Sequence, residues 1–342
     1  MAAGGFERTS LAVVEAAYRL DAPTDAWLAG VATAAQPALD HGVGLLSVAF
    51  HVGPGAAVHF DAAVTTGDVP HDVMDLLNSV TSGLSRAEVH GSWASPRALA
   101  TSSSELERIH QDIELREWRP FTPLHAFGIQ DSLAAKMVDS TLAGVMLLAP
   151  LRREMRVPAA DEARWQRVMA HVLAGLRLRG ALADSDGEAV LDPAGRVLHA
   201  EADAQSRTAR DALQDAAATV ERARSRAGRR DPDAALKAWK GLVSGRWSLV
   251  DRFDRDGRRF LVARRNDPSV PRPGGLTDRE RQVASYAALG YSNKHIAYAL
   301  GLAQSTVSNH LRTAMRRLGV QTLTALREIV YANPIQQDAD ES

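Results

Sequence analysis

The stretch SNKHIAYALGLAQSTVSNHLRTAMRRL, residues 292–318, constrains this chain more than any other. It reads as two short helical patterns joined by a turn. Ser292 suits an N-cap, because its hydroxyl can accept an orphan N–H of the first turn. Ile296, Ala297 and Leu300 recur at helical spacing, and Gly301 follows where a helix stops and the chain turns. Ser305 and Thr306 open the second pattern. Its Val307, Leu311, Ala314 and Leu318 fall at i, i+4, i+7 and i+11, one face of a helix. The opposite face carries Ser305, Ser308, Asn309, Arg312 and Arg316. Short hydrogen-bonding side chains lie at its N-terminal end and cations further along. A helix entering a major groove needs this order, with polar groups for base edges and Arg for guanine or phosphate. The plainer reading is a helical bundle whose polar face is merely solvated.

The flanks extend the pattern. Thr277 and Glu280 form a capping box that opens a helix through Leu289, and Gly290 ends it. Residues 322–330 supply one more helix. The whole stretch from Leu276 to Val330 resembles the LuxR-type DNA-binding domain, a four-helix module. The resemblance rests on Leu276-Thr277, Arg279-Glu280, Gly290, Ser292-Asn293-Lys294, Ile296-Ala297, Leu300, Thr306-Val307, His310-Leu311 and Leu318-Gly319-Val320. It implies a partner, duplex DNA. It puts Ser308, Asn309 and Arg312 toward bases and nearby phosphates. Lys294, Ser305, Thr306, His310 and Arg316 become backbone contacts or helix-positioning groups. Proteins of this family usually carry Lys where Ser308 stands, so the missing cation predicts a different base readout and weaker affinity per half-site. One groove helix reads only a few base pairs, so a homodimer is expected. Leu323, Leu326 and Val330 share a face of the last helix and are the predicted dimer interface, with the long helix 161–182 as a second candidate.

Charge distribution agrees with this reading. The net charge of the chain is −1, but residues 272–332 hold eight Lys or Arg against three acids, a surplus of +5 that leaves about −6 for the rest. A basic module on a mildly acidic body is the footprint of a modular DNA binder. There is no cysteine, which excludes disulfides, Cys-ligated zinc, a Cys nucleophile and a flavin–cysteine photosensor. A reducing cytoplasm is the expected location. No basic region followed by an apolar run opens the chain, and no apolar run reaches membrane-spanning length, so neither signal peptide nor membrane partner is expected.

The remainder predicts an α+β body. Residues 11–20 and 26–39 read as helices, and 43–51 and 57–64 as a strand pair around Gly53-Pro54-Gly55. Helices are expected over 70–80 and 103–118, strands over 127–133 and 142–151, and a long amphipathic helix over 161–182 carrying Trp165, Val168, Val172 and Leu176. This order resembles a GAF-like sensory domain, an antiparallel sheet with helices on one side, over residues 1–184; a related α/β/α ligand-binding fold competes with it. Residues 185–266 hold two short strands around Pro193-Ala194-Gly195, a charged helix over 201–226, and a hairpin over 248–264 with Asp256-Gly257 at its turn. They resemble a small or degenerate PAS-like segment. Residues 267–275 are a Pro/Gly-rich linker, 276–332 the DNA module, and 333–342 a polar tail expected to be disordered.

Other constellations carry less. His41, His51, His59 and His71 lie near one turn, but no carboxylate or Cys spacing supports a metal site, and none is expected. Trp27, Trp93, Trp118 and Trp165 are core aromatics on the plain reading and pocket walls on the sharper one. Arg222, Arg224, Arg226, Arg229 and Arg230 form either an accessory phosphate patch or a solvated helix end. A phosphorelay receiver is excluded: paired N-terminal acids are missing, and Lys136 is the only Lys before Lys237. The first strands, VGLLSVAFHVGPGAAVHF, lack the Trp and Tyr of an acyl-homoserine-lactone pocket. No Walker A loop, GxSxG elbow or HExxH is present, so neither catalysis nor a cofactor is expected. The sequence therefore predicts a cytoplasmic bacterial transcriptional regulator whose N-terminal region answers an unknown small-molecule or protein signal. The alternative is a non-catalytic interaction module that docks on RNA polymerase without binding DNA alone.

Overall fold

The computed structural model describes residues 3–20, 22–110, 112–181, 187–239, 243, 246–253, 259–266 and 276–331. Two helices, α1 (Ala3–Ala17) and α2 (Thr24–Leu39), precede a hairpin of β1 (Leu45–Val52) and β2 (Val58–Thr66). Then come α3 (Val73–Ser82), α4 (Arg86–Ser92), β3 (Leu99–Thr101), α5 (Ser102–Ile109), β4 (Asp131–Val138), β5 (Ala143–Leu151) and α6 (Ala159–Ala181). The strands pair antiparallel in the order β2-β1-β5-β4-β3.

Helices cover both faces of this sheet, not the single face expected. Helices α1, α2 and α6 lie on one side, and α3, α4 and α5 on the other. The reason is legible in β4. Side chains alternate across a strand, and seven of its eight residues are buried, so both faces need cover. On the α6 side, Leu133 and Ala135 stand opposite Ala149 and Leu147; on the other, Ala134 and Lys136 stand opposite Leu148 and Met146. Close approach is built in at Gly175 of α6, where an added Cβ would fall 2.3 Å from the Ala17 carbonyl oxygen at the end of α1.

Several boundaries moved. The helix expected over 103–118 stops at Ile109, where His110 leaves the helical region (φ −131°, ψ 113°). The strand expected over 127–133 begins at Asp131, because residues 122–127 form a 3₁₀ turn ended by Gly128 in the left-handed region (φ 69°). Helix α4 and strand β3 were not anticipated. Helix α4 starts at a complete capping box between Ser85 and Glu88, a signal present in the sequence.

A second antiparallel sheet, β7-β6-β9-β8, follows: β6 (Ala189–Leu191), β7 (Val197–Ala200), β8 (Trp247–Phe253) and β9 (Arg259–Arg265). Between its halves run α7 (Arg207–Arg224) and α8 (Pro232–Ala238). Leu213 and Ala217 of α7 pack with Leu191, Trp247 and Leu261 of the sheet in a small core. The Asp256-Gly257 turn and the linker 267–275 lie outside the described residues, as does the tail 333–342. The chain ends in α9 (Asp278–Ala288), α10 (Asn293–Leu300), α11 (Gln304–Arg317) and α12 (Leu323–Tyr331). These four do not form a core of their own: Val283, Tyr286, Ile296 and Leu300 belong to the same buried cluster as the first sheet.

Candidate nucleic-acid interface

The C-terminal module is assembled by local signals. Thr277 accepts from the Glu280 N–H while the Glu280 carboxylate accepts from the Thr277 N–H, closing the capping box of α9. Glu280 also receives Arg317 from the end of α11. Its burial alone would raise its pKa; the Thr277 hydrogen bonds and the Arg317 charge instead hold it below the usual carboxylate range. This residue ties the first helix of the module to the third. Ser292 caps α10 through the His295 N–H, and Gly301 terminates it in the left-handed region (φ 63°). Helix α11 begins one residue before Ser305 and has no side-chain cap.

Val307 and Ala314 of α11 are fully buried, which fixes the rotation of the helix. Ser305, Asn309, Arg312 and Arg316 are exposed, and Thr306 and His310 half-buried. Arg312 donates to the Asn309 side-chain oxygen (3.2 Å), so the two form one polar surface. Ser308 is half-buried and accepts from Asn293 of α10 (3.1 Å), while its hydroxyl donates to the Gln304 carbonyl. Where the family pattern has a cation, this chain has a hydroxyl that joins the two helices. Lys294, at the start of α10, is exposed. Ser305, Asn309, Arg312 and Arg316 thus share the exposed side of α11, while Ser308 is turned partly to bracing.

The dimer-interface prediction divides. Leu326 is fully buried inside the module and has no surface to offer a partner. Val330 is half-buried against the same core. Leu323 is 51% exposed and Ile329 40% exposed, so the apolar surface of α12 is carried by Leu323 and a residue the periodicity argument passed over.

Sequence reasoning also missed the contact between this module and the body. Tyr298 of α10 reaches across to His171 of α6 (2.7 Å) and to the main-chain carbonyls of Leu236 and Trp239 (2.8 and 3.0 Å). The other nitrogen of His171 lies 3.1 Å from the Tyr18 hydroxyl. His171 thus joins two tyrosine hydroxyls, one at each ring nitrogen. His171 is wholly buried, which holds its pKa down to about 3 and keeps the ring neutral; a Trp239 main-chain contact opposes this weakly. Tyr291, between α9 and α10, adds a hydrogen bond to the Val138 carbonyl of β4 (3.3 Å).

The remaining candidates are structural. His51 pairs with Asp61 (2.9 Å) and stacks on His59 at 4.9 Å, while His41 and His71 are exposed. Among the described residues no group of three His, Cys, Asp or Glu could hold a metal ion. Arg222 donates to Thr219, Arg224 to Asp251, and Arg229 pairs with Glu15, so most of the Arg cluster is engaged within the protein. Trp27 and Trp165 are core residues; Trp93 and Trp118 line a cavity. No helix among the described residues is long and apolar enough to cross a membrane.

Residues 275–330 match the family described as bacterial regulatory proteins, luxR family. The C-terminal module is a LuxR-family helix-turn-helix domain. The chain is 34% identical over 86 residues to the HTH-type transcriptional regulator MalT of Vibrio campbellii, covering 25% of this chain and 10% of that protein. It is 34% identical over 97 residues to the nitrate/nitrite response regulator protein NarP of Escherichia coli, covering 28% and 43%. The chain thus spans less than half the length of these relatives. The crystal structure of Escherichia coli SdiA aligns over 94% of each chain at 12% identity and a TM-score of 0.31, too loose a superposition to carry a fold argument.

Proposed function

We propose that this protein is a DNA-binding transcriptional regulator acting as a homodimer, with the region before residue 276 as its controlling, non-catalytic part. The observation that carries the reading is the exposed surface of α11, where Asn309 and Arg312 are held together above a fully buried Val307 and Ala314. Helix α11 enters the major groove, Asn309 and Arg312 meet base edges, and Lys294 and Arg316 meet phosphates. The GAF-like and PAS-like readings of the two sheets belong to this proposal. So does control through the Tyr18–His171–Tyr298 relay, which couples α10 to α1, α6 and α8.

The test is a gel shift of the full chain on sequences selected from a random pool. Selected DNA should bind in preference to random DNA, and affinity should fall steeply with salt as counterions are released. A protein that binds no duplex alone but is retained by RNA polymerase would sink the reading and favour a docking module.

A further inference from the structure

The first sheet ends on one side at β2, which is hydrogen-bonded to β1 and has no second neighbour. Helices α2 and α3 pack against it, and among the described residues no main-chain group pairs with its outer edge. Such an edge is a template for a further strand, and proteins blunt it with Lys, Pro, a very short strand or a bulge. The opposite edge, β3, is three residues long. Strand β2 is nine residues long, VHFDAAVTT, without Lys, Arg or Pro. Its protection is a bulge: Phe50 and Ala49 of β1 pair with Phe60 and Ala62, so Asp61 is the extra residue. A bulge bends its strand, which turns residues 58–60 out of line. Residues 62–66 stay in unbroken register with Ala49 to Leu45.

This stretch, Ala-Ala-Val-Thr-Thr, is complementary to itself. A strand paired antiparallel to its own copy needs a two-fold axis through one residue, because hydrogen-bonded and non-hydrogen-bonded pairs alternate. With Val64 as that residue all five positions are matched. Val64 faces Val64 of the copy, Ala63 faces Thr65, and Ala62 faces Thr66. Small and β-branched residues suit such a pleated, half-buried surface, and no like charges meet. Asp61, at the margin, falls opposite Gly67 of the copy and is held by His51 at 2.9 Å. A second copy is also the partner that paired half-sites bring within reach.

We propose that residues 62–66 are a homotypic edge: two copies pair antiparallel through β2 about an axis at Val64 and join their two sheets into one. The proposal rests on the reading of the protein as a homodimer and gives it a contact in the body, separate from α12. Five residue pairs are a small contact beside the ~1,000 Å² that a stable interface clears. The pairing is therefore weak alone and strengthens when DNA holds two copies side by side.

The chain has no cysteine, so one introduced thiol reads the register. On mild oxidation of the full chain without DNA, Val64→Cys should give a disulfide-linked dimer. Directly opposed Cα atoms lie roughly 4.5–5.5 Å apart, within disulfide reach. Ala62→Cys, on the same strand and face, should not link, since its copy lies four residues further along, about 13 Å away. Adding Thr65→Lys to Val64→Cys should slow linkage at least about tenfold, because two like charges then lie diagonally across the pair. Circular dichroism checks each variant. If Thr65→Lys does not fold, the two thiol variants decide. If Val64→Cys does not fold, sedimentation decides: Thr65→Lys should weaken self-association at least about tenfold. Equal linkage through both thiols, no linkage through Val64→Cys, or linkage or association unchanged by Thr65→Lys overturns the proposal. Linkage of Val64→Cys to a foreign protein and not to a second copy assigns the edge to another partner and overturns it too. No DNA is present, so its failure is distinct from failure of DNA binding, which the gel shift reads.

Discussion

Arg312 and Arg316 lie one turn apart on α11, both exposed, yet they should behave differently. Arg312 is held beside Asn309, while Arg316 lies nearer the C-terminal end of the helix. Arg312→Ala should cost about 1–3 kcal/mol on selected DNA and less on random DNA, and should blur one position of the selected sequence. Arg316→Ala should weaken all sequences alike and lower the salt slope by about one. An unchanged sequence preference in Arg312→Ala would reassign that residue to the backbone. His171 makes a different kind of prediction. Its folded pKa of about 3 lies below its ordinary 6.5, so the unfolded chain takes up a proton first as pH falls. The stability it supports is complete above about pH 6.5 and is lost progressively toward pH 3. Between pH 6 and 5, before the carboxylates titrate, His171→Phe should flatten the dependence of unfolding free energy on pH by roughly 1 kcal/mol per unit. Denaturant titrations across that window measure it. An unchanged slope would mean that the buried ring is protonated.

Among the elements, α12 separates core from surface most sharply. Leu326→Ala should destabilise by about 2–5 kcal/mol, the usual cost of truncating a buried Leu. Leu323→Asp should leave thermal stability nearly intact but abolish cooperative binding to a probe with two half-sites. If it does not, α12 is not the dimer contact. The elements also show what could be read in advance. Helices α9 and α10 have N-caps, terminating glycines and apolar spacing within a dozen residues, and α12 has Thr322 as its cap, so the four-helix module was legible nearly residue by residue. The exposure of Ser305, Asn309, Arg312 and Arg316 was legible too, because outward positions follow once Val307 and Ala314 fix the buried side. Ser308 was only half read, since its tie to Asn293 depends on the neighbouring helix. Strand β4 was displaced because a 3₁₀ turn takes Phe127, the first residue of the expected strand, and short apolar runs do not distinguish the two. Tyr298 was unreadable: its partners His171 and Leu236 are more than sixty residues distant in sequence.

At the scale of the molecule, the DNA module and the first sheet share one buried core, so they should unfold together. Tyr298→Phe tests the polar part of that union. It removes the hydroxyl that His171 Nε2 and the Leu236 and Trp239 carbonyls share, a loss of about 1–3 kcal/mol for a buried unsatisfied group. Amide exchange in α9 and α10 should rise more than in β1 or β5; uniform exchange across all four would show that the contact carries no local stability. The same hydroxyl has a consequence in the opposite direction. Coupling between two sites is reciprocal: whatever factor a molecule bound at the body applies to DNA affinity, DNA applies to that molecule. If gripping a promoter alters the seat of Tyr298 between His171 and Leu236, then the promoter is itself an effector. The protein's appetite for its signal would then differ between copies on the chromosome and copies in free solution.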